Sequence, residues 1–283
     1  MLELEHRFRV VDVHATLAPE SDTSERGRPI DPDQLEREMH QAGIVRAVVY
    51  PERREEKTDY LTMNNGVARR SVERPFVAFA RITGPRDAGS ASGPRDAGSA
   101  PTSKLRNLAA RRRDHHTDPE TVEQYAYDDR FHGFVLDPAK DGLPDEAVLE
   151  TLEDVDLPVI VESGNGFPPA AAADSLLGYD FTVVLAGFGG YPLQRDRMAD
   201  AIDLLEYHDD CYLDTSHVRF REPLERALRE HPDRVLFGSG APDAHPNVAI
   251  MEVLTLDVSE DKMKRAFSKN ATRIVPELAS DGN

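Results

Sequence analysis

Short runs of β-forming residues recur eight times along the chain, most of them followed by a longer amphipathic stretch, and this alternation leaves few folds open. The runs are Phe8–Val13, Arg46–Tyr50, Phe76–Ile82, Gly133–Leu136, Pro158–Val161, Phe181–Leu185, Cys211–Leu213 and Arg234–Phe237. Several are continuous apolar runs, such as Val159-Ile160-Val161, as expected of parallel strands covered on both faces. Helices are predicted between them at Asp31–Ala42, Asp145–Val155, Arg195–His208 and Glu222–Glu230. In the third, Met198, Ala201, Ile202 and Leu205 share one face while Asp196, Asp200, Asp203 and Glu206 fall on the other. Eight βα units in 283 residues predict a single α/β domain, a closed (β/α)8 TIM barrel spanning 1–283, with an open doubly wound sheet as the alternative. No G-x-G-x-x-G run opens the first unit, which counts against the alternative.

One segment breaks the rhythm. Gly-Pro-Arg-Asp-Ala-Gly-Ser-Ala starts at Gly84 and repeats from Gly93, within an insertion at 84–103 after the third strand. So little apolar surface cannot offset the entropy of ordering, so the insertion is expected to be flexible. A tolerated insertion explains it more simply than a lid. The Arg111-Arg112-Arg113 and His115-His116 runs that follow read as solvated charge, since residues at i and i+1 do not share a helical face.

The net charge of −18 excludes the usual electrostatic routes to nucleic acid or an anionic membrane. Only six of the 34 basic residues are lysine, and the carboxylates are spread over the whole chain, the balance of a halophilic protein whose self-repulsion is screened by salt. No apolar stretch is long enough to span a bilayer, and residues 1–7 lack the basic start and apolar run of a secretory signal. A lone cysteine, Cys211, cannot form an internal disulfide and is expected to be buried in a strand. These features together predict a cytoplasmic protein whose partner is a small-molecule ligand, with a homodimer as a further expectation.

In a (β/α)8 barrel the carboxyl ends of the strands converge on one pocket, so chemistry is sought there. The first strand leads into Asp12-Val13-His14-Ala15-Thr16, and further marks follow in order. They are Gly133-Phe134, Gly189-Gly190, Leu213-Asp214-Thr215-Ser216, Phe237-Gly238-Ser239 before Ala241-Pro242, and Asn270-Ala271-Thr272-Arg273. Taken together they resemble the amidohydrolase superfamily, in particular its amidohydrolase-related (type 2) branch of hydrolases and decarboxylases. The resemblance implies a metal held by two histidines of the first strand, a histidine after the fifth, another after the sixth and an aspartate after the eighth. By that comparison His14 is kept, Thr16 stands for the second histidine, Glu162 for the third and Gly187 for the fourth, while Gly240 stands for the aspartate. The end of the Val135-Leu136 strand likewise lacks the lysine that binuclear members use to bridge two metals. A hydroxyl is a poor neutral ligand, a carboxylate can serve, and glycine offers nothing.

No metal or other cofactor is therefore expected, and zinc would enter only if other residues rebuilt the site. Asp243 and His245 follow the eighth strand, His217 follows the seventh, and Asp12 precedes His14; three or four of these would have to converge. A metal-free reaction needs less, namely a base such as His14 or Glu162 and donors that stabilise developing charge. The candidate catalytic residues are thus His14, Glu162, Asp243 and His245, with Thr16, Asn165 and His217 as candidate substrate contacts. Each also has a plain structural reading: Glu162 pairing with an arginine, Asn165 shaping a Gly-Asn-Gly turn, His14 packing at the barrel mouth, Asp214 satisfying donors in its own turn. Neither a G-x-S-x-G elbow nor a Walker loop is present. Two functions remain: a small-molecule hydrolase or lyase at the barrel mouth, and a noncatalytic barrel that binds or regulates.

Overall fold

Eight parallel strands pair in chain order, β1 to β8, in one sheet. They are β1 Val10–Leu17, β2 Ile44–Pro51, β3 Phe76–Ile82, β4 Phe131–Leu136, β5 Val159–Val161, β6 Val183–Leu185, β7 Cys211–Asp214 and β8 Val235–Leu236. The computed structural model describes residues 6–17, 31–52, 60–88 and 115–279. Of the 84–103 insertion only 84–88 fall among them, and its repeat, like Arg111-Arg112-Arg113, lies outside the described residues. β1 closes the ring onto the chain after β8 through Val13 N–H to Phe237 O at 2.9 Å, Gly240 N–H to His14 O at 3.0 Å and Thr16 N–H to Ala241 O at 2.9 Å. The molecule is a single (β/α)8 barrel, and the doubly wound alternative is excluded by this closure.

Alternation along each strand sorts side chains into two apolar layers. Inside the barrel pack Val11, Val13, Val48, Tyr50, Val77, Phe79, Val135, Ile160, Val184, Tyr212 and Leu236. The opposite faces, such as Val49, Ala78, Phe134 and Val161, meet the surrounding helices. Those helices include α1 Pro32–Gln41, α2 Leu61–Ser71, α3 Pro119–Ala126, α4 Glu146–Val155, α5 Pro169–Ser175, α6 Arg195–Leu204, α7 Arg221–Glu230 and α8 Pro246–Leu254. Asp31, Asp118 and Asp145 cap the first turns of α1, α3 and α4 by accepting backbone N–H groups, each just before a helix that ends its own βα step. Cys211 is buried in β7, as its neighbours predict. Among the described residues no helix is long and apolar enough to cross a membrane.

The first strand differs from its predicted span. It continues past Val13 to Leu17, because Ala15, Thr16 and Leu17 pair with Val49, Tyr50 and Pro51 of β2. Between Asp12 and Ala15 it also gains a residue on β2, whose partners there are Ala47 and Val49. This β-bulge reverses the alternation: Val11 and Val13 face the barrel interior, yet Ala15 and Leu17 face the helices. His14 and Thr16 are thereby turned toward the barrel mouth. The buried Asp12 carboxylate fixes the bulge, accepting His14 N–H at 2.9 Å, Ser239 N–H at 2.8 Å and the Ser239 hydroxyl.

Candidate active site

The strand ends surround a cavity of about 300 Å³, a volume suited to a small organic molecule. His14 and Thr16 reach it from β1 and Arg81 from β3. Glu162 and Asn165 reach it from the chain after β5, His217 from after β7, and Gly240 and Asp243 from after β8. Six of the seven residues singled out in the sequence are thus brought together. His245 is the exception: it does not line the cavity, and its Nδ1 accepts Asn247 N–H at 3.2 Å as the N-cap of α8.

His14 is the best-defined group. Its Nδ1 lies 3.0 Å from Asp214 Oδ2 and 3.3 Å from Ser216 Oγ, so the other ring nitrogen, Nε2, faces Glu162 Oε1 at 3.9 Å. Asp214 sits at the end of β7 with no solvent exposure and is held by three donors besides His14: Gly187 N–H at 3.0 Å, Ser216 N–H at 2.8 Å and the Ser216 hydroxyl meet Oδ1, while His14 meets Oδ2. The Asp-Thr-Ser run therefore shapes its own turn, as predicted, and also orients the imidazole. Burial opposes a charge on His14, but the Asp214 carboxylate beside it, with help from Glu162 and Asp12, raises its pKa to about 9. Burial likewise opposes ionisation of Asp214, and the imidazolium with the surrounding donors outweighs it, holding that carboxyl below the usual range. At neutral pH the pair is an imidazolium–carboxylate dyad presenting an Nε2–H to the cavity.

Arg81 is the residue that sequence reasoning missed. It is almost wholly buried at the end of β3, with Nε donating to Pro51 O at 3.1 Å and Nη1 to Asp141 Oδ2 at 3.0 Å. Its guanidinium lies 5.8 Å from the Tyr50 ring centre and 5.7 Å from that of Tyr60. Nη2 makes no hydrogen bond to the described residues, so a cation built into the cavity wall keeps a donor for a ligand. The signal was present in the strand itself: Arg81 continues the inward phase of Val77 and Phe79. In the barrel interior the buried Tyr50 hydroxyl has no hydrogen-bond partner among the described residues, and burial with the nearby Glu162 charge pushes its pKa well above the ordinary value.

The donors do not make a metal cage. Among the described residues no group of three or more His, Cys, Asp and Glu side chains is arranged to hold an ion. His14 commits Nδ1 to Asp214, leaving Nε2 and Glu162 as two facing groups. Glycine at 187 and 240 contributes no side chain, and the His217 ring fills the space over Gly240, coming within 2.7 Å of where a Cβ would stand. Among the described residues Glu162 pairs with His14 and with no arginine.

The family model described as Amidohydrolase matches residues 11–276. No curated protein matches the chain. Among solved structures, the chain is similar to 5-carboxyvanillate decarboxylase from Sphingomonas paucimobilis, with a TM-score of 0.64 at 15% identity over 95% of this chain and 99% of that one. A dihydroxybenzoic acid decarboxylase from Polaromonas, with bound manganese and the inhibitor 2-nitroresorcinol, gives 0.62 at 13% identity over 98% and 99%. A probable 2-pyrone-4,6-dicarboxylic acid hydrolase from Acinetobacter baumannii with bound citric acid gives 0.60 at 13% over 95% and 99%. At such identities these structures speak for the fold.

Proposed function

The chain belongs to the amidohydrolase family, and from that premise we propose that it is a hydrolase or lyase acting on a small carboxylate-bearing molecule by general-acid chemistry at His14. The observation that carries this reading is the His14–Asp214 dyad, buried and oriented, with Nε2 turned into the cavity. An imidazolium fixed there can give a proton to a leaving oxygen in hydrolysis, or to the carbon that loses carbon dioxide in decarboxylation, and recover it from solvent. Asp214 holds the ring and its charge; Glu162, facing Nε2, keeps that charge on the cavity side. Arg81 supports the substrate class, since its unused Nη2 can take a carboxylate that does not itself react. Thr16, Asn165 and Asp243 would complete the contacts to the rest of the ligand.

The structural relatives' carboxylate substrates supply the probes. Purified protein would be assayed with 5-carboxyvanillate for loss of carbon dioxide and with 2-pyrone-4,6-dicarboxylate for ring opening, before and after dialysis against a chelator. Turnover that survives the chelator and falls by about 100-fold or more in His14→Gln supports the reading. Binding of either probe without turnover, by wild type and His14→Gln alike, would favour the noncatalytic barrel. Turnover that requires stoichiometric manganese or zinc would overturn the metal-free part, which rests on the two-donor arrangement of His14 and Glu162.

A further inference from the structure

We infer that Asn64, a side chain of α2 that does not line the cavity, is the positioning residue that aims Arg81 at its ligand, and so sets the preference for a substrate with a second carboxylate. The inference rests on the reading of Arg81 just given and concerns what holds that cation in place. Nε and Nη1 are spent on Pro51 O and Asp141, so a ligand meets Nη2 alone. A single donor rewards only an oxygen that lies where it points, so its aim has to come from the structure around it.

The sheet creates the need. β2 and β3 pair only as far as Val49 with Ala78, whereas β3 stays paired with β4 up to Ile82 with Leu136. Beyond Ala78 the edge of β3 that faced β2 is open, and the backbone groups of Arg81 on that edge need partners from elsewhere. Asn64 supplies both: its Oδ1 accepts Arg81 N–H at 2.9 Å and its Nδ2 donates to Arg81 O at 2.9 Å. The carboxamide thus takes the place of a peptide group of β2, and no other side chain of that size offers an acceptor and a donor together. Nδ2 also donates to the Tyr125 hydroxyl at 3.1 Å, which ties the arrangement to α3. The same turn of α2 reaches the guanidinium. Asn64 N–H donates to Tyr60 O at 2.8 Å, and Tyr60 lays its ring 5.7 Å from the guanidinium carbon while its hydroxyl donates to Asp141 at 3.3 Å. One helical turn therefore holds Arg81 at both ends, the backbone through Asn64 and the charge through Tyr60 and Asp141. Without Asn64 the end of β3 is paired on one edge only, and the direction of Nη2 is no longer fixed relative to His14 across the cavity.

The test compares two ligands by calorimetry. 5-Carboxyvanillate carries one carboxylate beside its hydroxyl, which decarboxylation removes, and one that survives; 2-hydroxy-3-methoxybenzoate is the same ring without the survivor. Their affinity ratio is measured for wild type, Arg81→Gln/Asp141→Asn and Asn64→Ala. Wild type should prefer the dicarboxylate by about ten-fold or more, and the Arg81 double variant should bind both alike. Asn64→Ala should lower the ratio by about five-fold or more, with affinity for the monocarboxylate kept within about two-fold. Asn64→Ser, which leaves room for a water between its hydroxyl and Arg81, carries the same test if the alanine variant does not fold, and should shift the ratio in the same direction. A purely structural role for Asn64 would weaken both ligands together. That result, or a ratio unchanged in the Asn64 variants while the Arg81 double variant loses it, overturns the inference and leaves the reading of Arg81 standing. If wild type binds the two ligands equally or binds neither, the reading of Arg81 fails and the inference fails with it.

Discussion

His14 and Arg81 are buried cations, and what keeps each charged sets what its removal should do. His14 has a folded pKa of about 9 against 6.5 for an unperturbed histidine, so the folded state binds its proton more tightly. The stabilisation is complete below pH 6.5 and is lost as pH rises through 9, with a size on the order of 3 kcal/mol before any relaxation of the pair. Urea unfolding of wild type and His14→Gln should therefore differ most at pH 6 and converge toward pH 10; a difference constant over that range would mean that the dyad is not ionic. Arg81 faces a buried Asp141 whose carboxyl is raised by burial despite the guanidinium. Arg81→Gln alone strands that carboxyl and should cost about 3–5 kcal/mol, and Arg81→Gln/Asp141→Asn should recover most of it. With folding restored, the double variant should still bind 5-carboxyvanillate roughly ten-fold or more weakly, the worth of one charge-assisted hydrogen bond. Equal affinity by calorimetry would remove Arg81 from the site. These residues were unequally legible: His14 stood out because a family motif marks it, whereas Arg81 is marked only by strand phase.

At the scale of elements, periodicity located all eight strands, since runs such as Val159-Ile160-Val161 have no other use in a chain of this kind. It could not show the bulge in β1. One extra residue against β2 is invisible without the partner strand, and the contact that fixes it, Asp12 to Ser239, joins positions far apart in the chain. Nor could it place His245, because a residue a few positions past a strand can turn into the pocket or cap the next helix, and here the helix takes it. The bulge makes its own prediction. Burial raises the Asp12 carboxyl to about 6, above its ordinary 3.8, so its contribution is most favourable below pH 3.8 and is lost as pH rises through 6. Asp12→Asn keeps an oxygen for the His14 and Ser239 amides without the charge. Relative to wild type it should gain melting temperature from pH 5 to pH 8, while Asp12→Ala, which strands both amides, should lose stability at every pH by about 2–4 kcal/mol. A fall for Asp12→Asn on going to pH 8 would contradict the assignment of a destabilising buried charge.

The whole molecule carries a net charge of −18 over a surface crossed by ion pairs, such as Arg226 with Asp203 and Glu230 or Arg229 with Glu225. Each exposed pair is worth about 0–1 kcal/mol and weakens with salt, while the general repulsion among carboxylates also weakens. With this excess of acidic residues the second effect should win, so the melting temperature is expected to rise steadily between 0.1 and 2 M potassium chloride; a fall would show that the pairs dominate and would remove the halophilic reading. Within that charged barrel the proposed chemistry turns on one proton. Its most direct test is a pH titration of histidine ring nitrogens by NMR on ¹⁵N-histidine-labelled wild type, with His14→Gln to assign the signal. The prediction is a His14 ring protonated on both nitrogens through neutral pH, with a midpoint near 9. A midpoint at or below 6.5 would leave the cavity without its acid and would contradict the proposed chemistry.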